Sequence, residues 1–407
     1  AEGLGDSPVR LIDARFIVEL ARRDGRFPRR QDLPDHCFLS LHNMKQMPPH
    51  EPAESTTNSL RIISISHPWQ QPDHPDPKGV NLKILGSALE LFLERGGGTY
   101  AVFFDFMSLF QKGPDGKRTP AEQKLFSLAL VNMMDWYAHP EVLMMKLTKL
   151  PDGYPDGFVF LPGTTPNQAR YDERGWCFCE SSVGNLVKNS SFIFDLGKFS
   201  GRAEFLHHLQ KECKAGRLPP LAPEDFAKQL ARKSFTTPSA DFERVAALYC
   251  KTFEAQMEAA EALVFRNLGW GDEHVTVLAK ACIAGPRPNL QFMCLSENKI
   301  GNAGCLSLAQ AVSTGALPSL KDLDLGDNQI GDDGASALVL ACAAGACNLR
   351  KLSIGRHIGD AACAAIAQAR RENRLNNLQH VILNGHVSDV WRKCIKDALP
   401  YCCVQIY

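Results

Sequence analysis

Leu290-Gln291-Phe292-Met293-Cys294-Leu295-Ser296-Glu297-Asn298-Lys299-Ile300-Gly301 returns 30 residues later as Leu320-Lys321-Asp322-Leu323-Asp324-Leu325-Gly326-Asp327-Asn328-Gln329-Ile330-Gly331. Neither block can build a core alone, so its apolar positions must stack on those of neighbouring copies. Asn298 and Asn328 fall in the turns, where a side-chain amide can bond adjoining backbone. Weaker copies begin at Leu263 with Phe265, at Leu349 with Leu352 and Ile354, and at Leu378 with Val381 and Leu383. Helices are expected between strands at 303–313 and 335–344. The array of about five units occupies 259–407, with 391–407 expected to cap it.

These blocks resemble leucine-rich repeats of the long ribonuclease-inhibitor type. The resemblance implies a short α/β solenoid with Asp322, Asp324, Lys351 and Arg356 on its concave face. That face is either a surface for a protein partner or ordinary solvated surface.

Upstream the pattern changes to single strands alternating with single helices. Strands are expected at 60–66, 100–105, 141–147 and 191–196. Helices are expected at 80–95, stopped by Gly96-Gly97-Gly98, and at 120–137, opened by the capping box Thr119-Pro120-Ala121-Glu122. Further helices are expected at 176–188 and 203–215. Such alternation predicts a parallel sheet covered on both faces, with ligands bound outside the C-terminal strand ends. Residues 1–58 read as an N-terminal extension, an irregular collar with a helix at 11–23 and a proline-bearing loop at 47–58. Residues 216–258 read as a helical bridge with helices at 223–232 and 239–259.

Three stretches would converge on that sheet edge: Ser64-Ile65-Ser66-His67-Pro68-Trp69, the run from Val102 through Asp105 and Ser108 to Gln111, and Arg174-Gly175-Trp176-Cys177-Phe178-Cys179-Glu180. The last predicts a helix that seats Trp176 in a core and points a partly exposed Glu180 into a cleft, with Arg174 as a partner for it. Plainer readings stand beside this one. Glu180 suits the dipole of a helix start, Asp105 suits a turn cap, and Trp69 and Trp176 suit a cleft wall. His67 with Asp73, His74 and Asp76 reads as a hydrogen-bonded loop rather than a metal site. The run from Lys112 to Arg118 is an exposed turn, placed where a phosphate-bearing ligand would pass.

The ordered set resembles heterokaryon-incompatibility (HET) domains, distant relatives of Toll/interleukin-1 receptor (TIR) domains. Ser66, His67 and Trp69 match the first HET block; Asp105 and Gln111 the second, with Met133, Trp136 and Tyr137 in its helix; Trp176 and Glu180 the third. His67, Gln70, Ser108 and Cys179 depart from the family pattern. Trp176-Cys177-Phe178-Cys179-Glu180 is also similar to the block that carries the catalytic glutamate of NAD-cleaving TIR domains. The resemblance implies a flavodoxin-like (TIR/HET-like) parallel-sheet sandwich over 59–215. Its ligand site would use Ser66, His67, Trp69, Asp105, Ser108, Gln111 and Trp176, with Glu180 as the catalytic carboxylate.

The chain has 407 residues with 45 basic against 45 acidic side chains, so nothing in its charge draws it to nucleic acid or anionic membrane. Apolar runs fall far short of the roughly 20 residues a membrane span needs. The 14 cysteines sit in apolar surroundings and read as reduced thiols of a cytoplasmic protein. The first residue is Ala1 rather than Met, which leaves the native N-terminus open. No phosphate-binding Gly-x-x-x-x-Gly-Lys-Ser/Thr string, hydrolase Gly-x-Ser-x-Gly elbow or His-Glu-x-x-His helix occurs. The leading expectation is a signalling or assembly protein whose repeats recognise a protein and whose α/β domain self-associates. The alternatives are an NAD glycohydrolase, with NAD as substrate and no other cofactor, and a structural subunit of a larger assembly.

Overall fold

The computed structural model describes residues 7–39, 60–94, 99–158, 160, 166–235, 238–285 and 287–407. The loop read at 47–58 and the glycines at 96–98 lie outside the described residues. The chain forms two compact units: residues 1–184, 190–215 and 229–249, and residues 185–189, 216–228 and 250–407.

The first unit holds strands β1 (Ile12–Asp13), β2 (Leu60–Ser66), β3 (Thr99–Phe104), β4 (Leu143–Lys146) and β5 (Ile193–Asp195), in the order β1-β3-β2-β4-β5. β2 to β5 are parallel and β1 lies antiparallel on the edge. Its helices are α1 (Ala14–Arg22), α2 (Val80–Glu94), α3 (Asp105–Ser108), α4 (Pro120–Val131), α5 (Asp135–Ala138), α6 (Gly175–Gly184) and α7 (Leu206–Glu212).

The pleat sorts the two faces. Ile63, Ile65, Val102, Phe104 and Met145 join Ile17, Leu85, Leu89, Phe92 and Leu209 of α1, α2 and α7 in one core. On the other face Phe103 stacks on Trp136 at 5.3 Å and meets Tyr137 edge-on at 5.7 Å. Gly184 lets α6 close on β4, since a Cβ there would lie 2.6 Å from Met144 Sδ.

Several boundaries differ from the sequence reading. The helix expected at 11–23 starts at Ala14, because Asp13 accepts from the Arg15 amide at 2.9 Å while Ile12 and Asp13 pair with Val102 and Ala101. The collar therefore adds a strand and a helix to the sheet. The helix expected at 120–137 is broken: the Thr119–Glu122 capping box opens α4, Asn132 leaves helical geometry at φ −118, and α5 resumes at Asp135. α6 stops at Gly184, β4 is limited to 143–146 and α7 to 206–212. The stretch read as a bridge contains α8 (Pro223–Leu230) and α9 (Pro238–Ala259), and residues of both are divided between the two units.

The second unit is one parallel sheet in chain order, β6 (Ala262–Val264), β7 (Phe292–Cys294), β8 (Asp322–Gly331), β9 (Lys351–Ile358), β10 (His380–Gly385) and β11 (Cys403–Ile406). It alternates with α10 (Asp272–Ile283), α11 (Asn302–Ser313), α12 (Asp332–Ala341), α13 (Asp360–Arg371) and α14 (Asp389–Ala398). Leu263, Met293, Leu323, Leu352 and Val381 stand in register and are all buried. The stretch read as a cap supplies another helix and a strand parallel to β10.

Two side-chain ladders hold the repeats. Asn298 Nδ2 donates to the Phe265, Leu295 and Ser296 carbonyls, and its Oδ1 accepts from the Leu268 and Trp270 amides, all at 2.7–3.2 Å. Asn328 repeats this with the Leu295, Leu325 and Gly326 carbonyls and the Ile300 amide. At the helix starts, Asp272 Oδ1 accepts from the Gly301 and Gly304 amides and Asn302 Oδ1 from those of Gly331 and Gly334. Asp332 Oδ1 does the same for the Gly359 and Ala362 amides. Each helix thus caps the next.

Leu325→Ala should cost about 2–5 kcal/mol, the range for a buried leucine. Asn328→Ala strands buried backbone groups worth about 1–3 kcal/mol each, so it should lower the urea midpoint comparably. Asn328→Asp, which keeps the acceptor and loses the donors, should recover only part. An unmoved midpoint in Asn328→Ala would show that the ladder carries no stability.

Candidate functional site

His67, Trp69, Asp105, Gln111, Trp176 and Glu180 line one cavity of about 350 Å³ within the first unit. It opens beyond the C-terminal ends of β2 and β3. Ser66 closes β2 on the same side of the pleat as Ser64. Its Oγ donates to Glu180 Oε2 at 2.5 Å and lies 2.6 Å from Tyr171 Oη.

Trp176 and Glu180 are four residues apart on α6, and therefore share one face of the helix. Both face the cavity, so Trp176 is a half-buried wall rather than a core residue. Glu180, expected to be partly exposed, is only 6% exposed. The start of α6 is fixed by Gly175, whose amide donates to the Ser234 carbonyl at 2.9 Å and whose missing Cβ leaves room for the Phe235 ring.

Burial, and after it the charge of Asp105, pushes the Glu180 carboxyl well above its usual range, against hydrogen bonds from Ser66 and Tyr137. Burial also lowers the His67 pKa, outweighing the pull of Asp105. The ring stacks on Phe104 at 4.4 Å, and Nε2 lies 3.7 Å from Asp105 Oδ1 without a hydrogen-bond partner. Asp105 accepts from the Phe106 amide at 2.6 Å and from Trp69 Nε1 at 3.2 Å, so it serves the first turn of α3 and faces the cavity at once.

Gln111 Nε2 donates to the Asp105 and Leu109 carbonyls. Ser108 stands apart: it is not part of the cavity wall, and its Oγ accepts from the Phe104 amide at 3.1 Å to close the turn of α3. In the proline-rich loop His74 bonds the Phe27 carbonyl and the Asp76 amide, and Asp76 accepts from the Leu82 amide.

The sequence pointed to only half of a rim that carries two arginines. Arg118 donates to the Phe110 carbonyl at 2.7 Å and lies 3.4 Å over the Phe126 ring. Arg244 on α9 pairs with Asp241 at 3.8 Å, and both line the cavity. The Lys112–Arg118 run carried a signal for Arg118; nothing marked Arg244, more than 60 residues beyond Glu180 (244 − 180). Arg174 is placed differently from the expected partnership with Glu180: it donates to the carbonyls of Trp69, Asn167 and Ala169 and so ties two loops to α6.

In comparisons with known proteins, the leucine-rich repeat family matches residues 316–339. No curated protein matches the chain. Among solved structures, the chain is similar to "Leiomodin-1 Actin-Binding Site 2 (ABS2)", at 16% identity over 40% of this chain and 90% of that one, with a TM-score of 0.31.

The site has a pH signature. The folded carboxyl of Glu180 keeps its proton above the ordinary value of 4.5, so its contribution to stability is full below pH 4.5 and is lost as pH rises toward the raised folded value. Glu180→Gln should match wild type near pH 4 and become progressively more stable than it at higher pH, by up to about 1.4 kcal/mol per pH unit. Parallel stability curves for the two proteins would show that the carboxyl is not desolvated in solution.

Proposed function

We propose that this chain is a recognition protein of the signalling or assembly kind. Its leucine-rich repeats bind a protein partner through the concave sheet, and its first unit is a TIR/HET-like domain that holds a small ligand. The match at 316–339 supports the protein-binding part, since stacked repeats of this type present an extended parallel sheet. For the first unit, numbering the parallel strands from β2 gives the order 2-1-3-4, which agrees with four strands of the 2-1-3-4-5 order of flavodoxin-like sandwiches and supports that reading. The observation that carries the ligand reading is the cavity itself: three separated segments deliver Trp69, Asp105 and the Trp176–Glu180 face to one pocket outside the strand ends. Aromatic walls, the orphaned His67 Nε2 and a rim with Arg118 and Arg244 suit a flat ring attached to an anionic group.

Cleavage of NAD is the second reading, favoured by the position of Glu180 beside Asp105 in the wall. A glycosidic transition state builds positive charge on the ribose and is stabilised by a carboxylate. The upward shift of Glu180 keeps its carboxyl neutral over a wider pH range, which weighs toward binding without cleavage.

Two measurements separate these readings. With NAD or ADP-ribose as probe, the binding reading expects saturable binding without free nicotinamide, weakened at least tenfold in Trp176→Ala and Arg244→Ala. Release of nicotinamide, reduced roughly a hundredfold or more in Glu180→Gln, would establish the enzyme instead. For the repeats, Asp322→Lys with Lys351→Asp should abolish retention of the protein partner while leaving ligand binding intact.

A further inference from the structure

We propose that Cys342 and Cys347, at the C-terminal end of α12, are a modification site that closes to a reversible disulfide on exposure to a hydroperoxide. Residues Cys342–Ala346 turn the chain back on itself through Gly345 at φ 84, the left-handed position that ends helices. The same cap recurs in the solenoid at Gly315 (φ 73) and Asn373 (φ 56). Counting three residues before each cap and two after it gives Val312 with Leu317, Cys342 with Cys347, and Arg370 with Leu375. Val312 and Leu317 are both buried, and Arg370 Nη1 reaches the Leu375 carbonyl at 3.4 Å. Among these three caps, only the one at Gly345 sets a thiol at both positions.

The turn through Gly345 sets the Cys342 and Cys347 side chains against each other. Cys342 is buried, whereas Cys347 is half-buried. The neighbouring Cys342 thiol, joined by the Leu349 amide, holds the Cys347 thiol below its ordinary pKa, while the neighbouring Cys347 and burial push Cys342 well above it. Cys347 is thus the attacking sulfur and Cys342 the resolving one.

The Cys347 thiolate attacks a peroxide oxygen; an S–O bond forms, the O–O bond breaks, and the leaving oxygen departs as water or alcohol after taking a proton. Cys342 then attacks the Cys347 sulfur. The S–S bond forms, the S–O bond breaks, and hydroxide leaves as water with the Cys342 proton. Two thiols are oxidised and one hydroperoxide is reduced. A loop this short constrains the unfolded chain little, so the bond serves as a modification rather than a staple.

The test treats the whole chain with hydrogen peroxide, then alkylates, digests and weighs the peptide that contains both cysteines. The expected product carries neither alkyl group, is lighter by two hydrogens, and regains both thiols with dithiothreitol. Cys342→Val keeps an apolar side chain like that of Val312 in the preceding repeat. In it, Cys347 should stop at the sulfenic acid and become trappable by dimedone. In Cys347→Ser, Cys342 should stay fully alkylated. Full alkylation of both cysteines in oxidised wild type, or pairing of Cys347 with another cysteine, would overturn the proposal. So would an unchanged disulfide yield in Cys342→Val.

Discussion

Where a buried strand ends and the chain must turn, its backbone amides and carbonyls lose the ladder yet remain shielded from water, and each unpaired group costs about 1–3 kcal/mol. Both units meet this constraint with one side chain per turn. In the repeats Asn298 and Asn328 take it, each spanning its own turn and the preceding repeat. In the first unit Arg174 takes it, spending its guanidinium on three loop carbonyls where a carboxylate partner would have been the simpler guess. Asp76 does the same for the start of α2. These residues look like binding or catalytic groups in a sequence, and they are occupied with the backbone.

That occupation defines the cavity by difference. Ser108 and Gln111 are bound to neighbouring backbone, and Asp105 is shared between the Phe106 amide and Trp69. The His67 Nε2 has no partner, and Glu180 is held from behind by Ser66 with its face toward the open space. The cavity floor therefore keeps one ring nitrogen that the fold leaves unpaired, beside a carboxyl that it holds from one side.

The strands and the repeat were legible because their signals are local: apolar runs ending in polar residues for β2 and β3, and an exact 30-residue recurrence for β7 and β8. Both ends of β2 were legible from its apolar run, and the start of α4 from the capping box at Thr119–Glu122; the break after Val131 has no such mark. The edge strand at Ile12–Asp13 was illegible since two residues carry no periodicity and pair only because β3 offers a free edge. Of the site, the segments that follow strands could be read, because a parallel sheet gathers its C-terminal ends. Arg118 was legible as part of the Lys112–Arg118 run, but Phe235 and Arg244 were not, since they depend on where a loop and a helix fold back over the sheet. The burial of Glu180 was misassigned, and of the two readings for Trp176 the cleft wall holds over the core, since residues four apart on a helix share one face.

The same geometry limits which ligands the cavity can take. Glu180 and Asp105 face a neutral His67, and burial rather than a cation sets the protonation of Glu180. A ligand that places positive charge against Glu180 must drive off its proton, so its affinity rises with pH until the carboxyl ionises. A ligand that meets Glu180 with hydroxyl groups needs no such release, and its affinity is set instead by the aromatic walls and the arginine rim. The pH dependence of binding therefore reports which end of a bipolar ligand points at the floor.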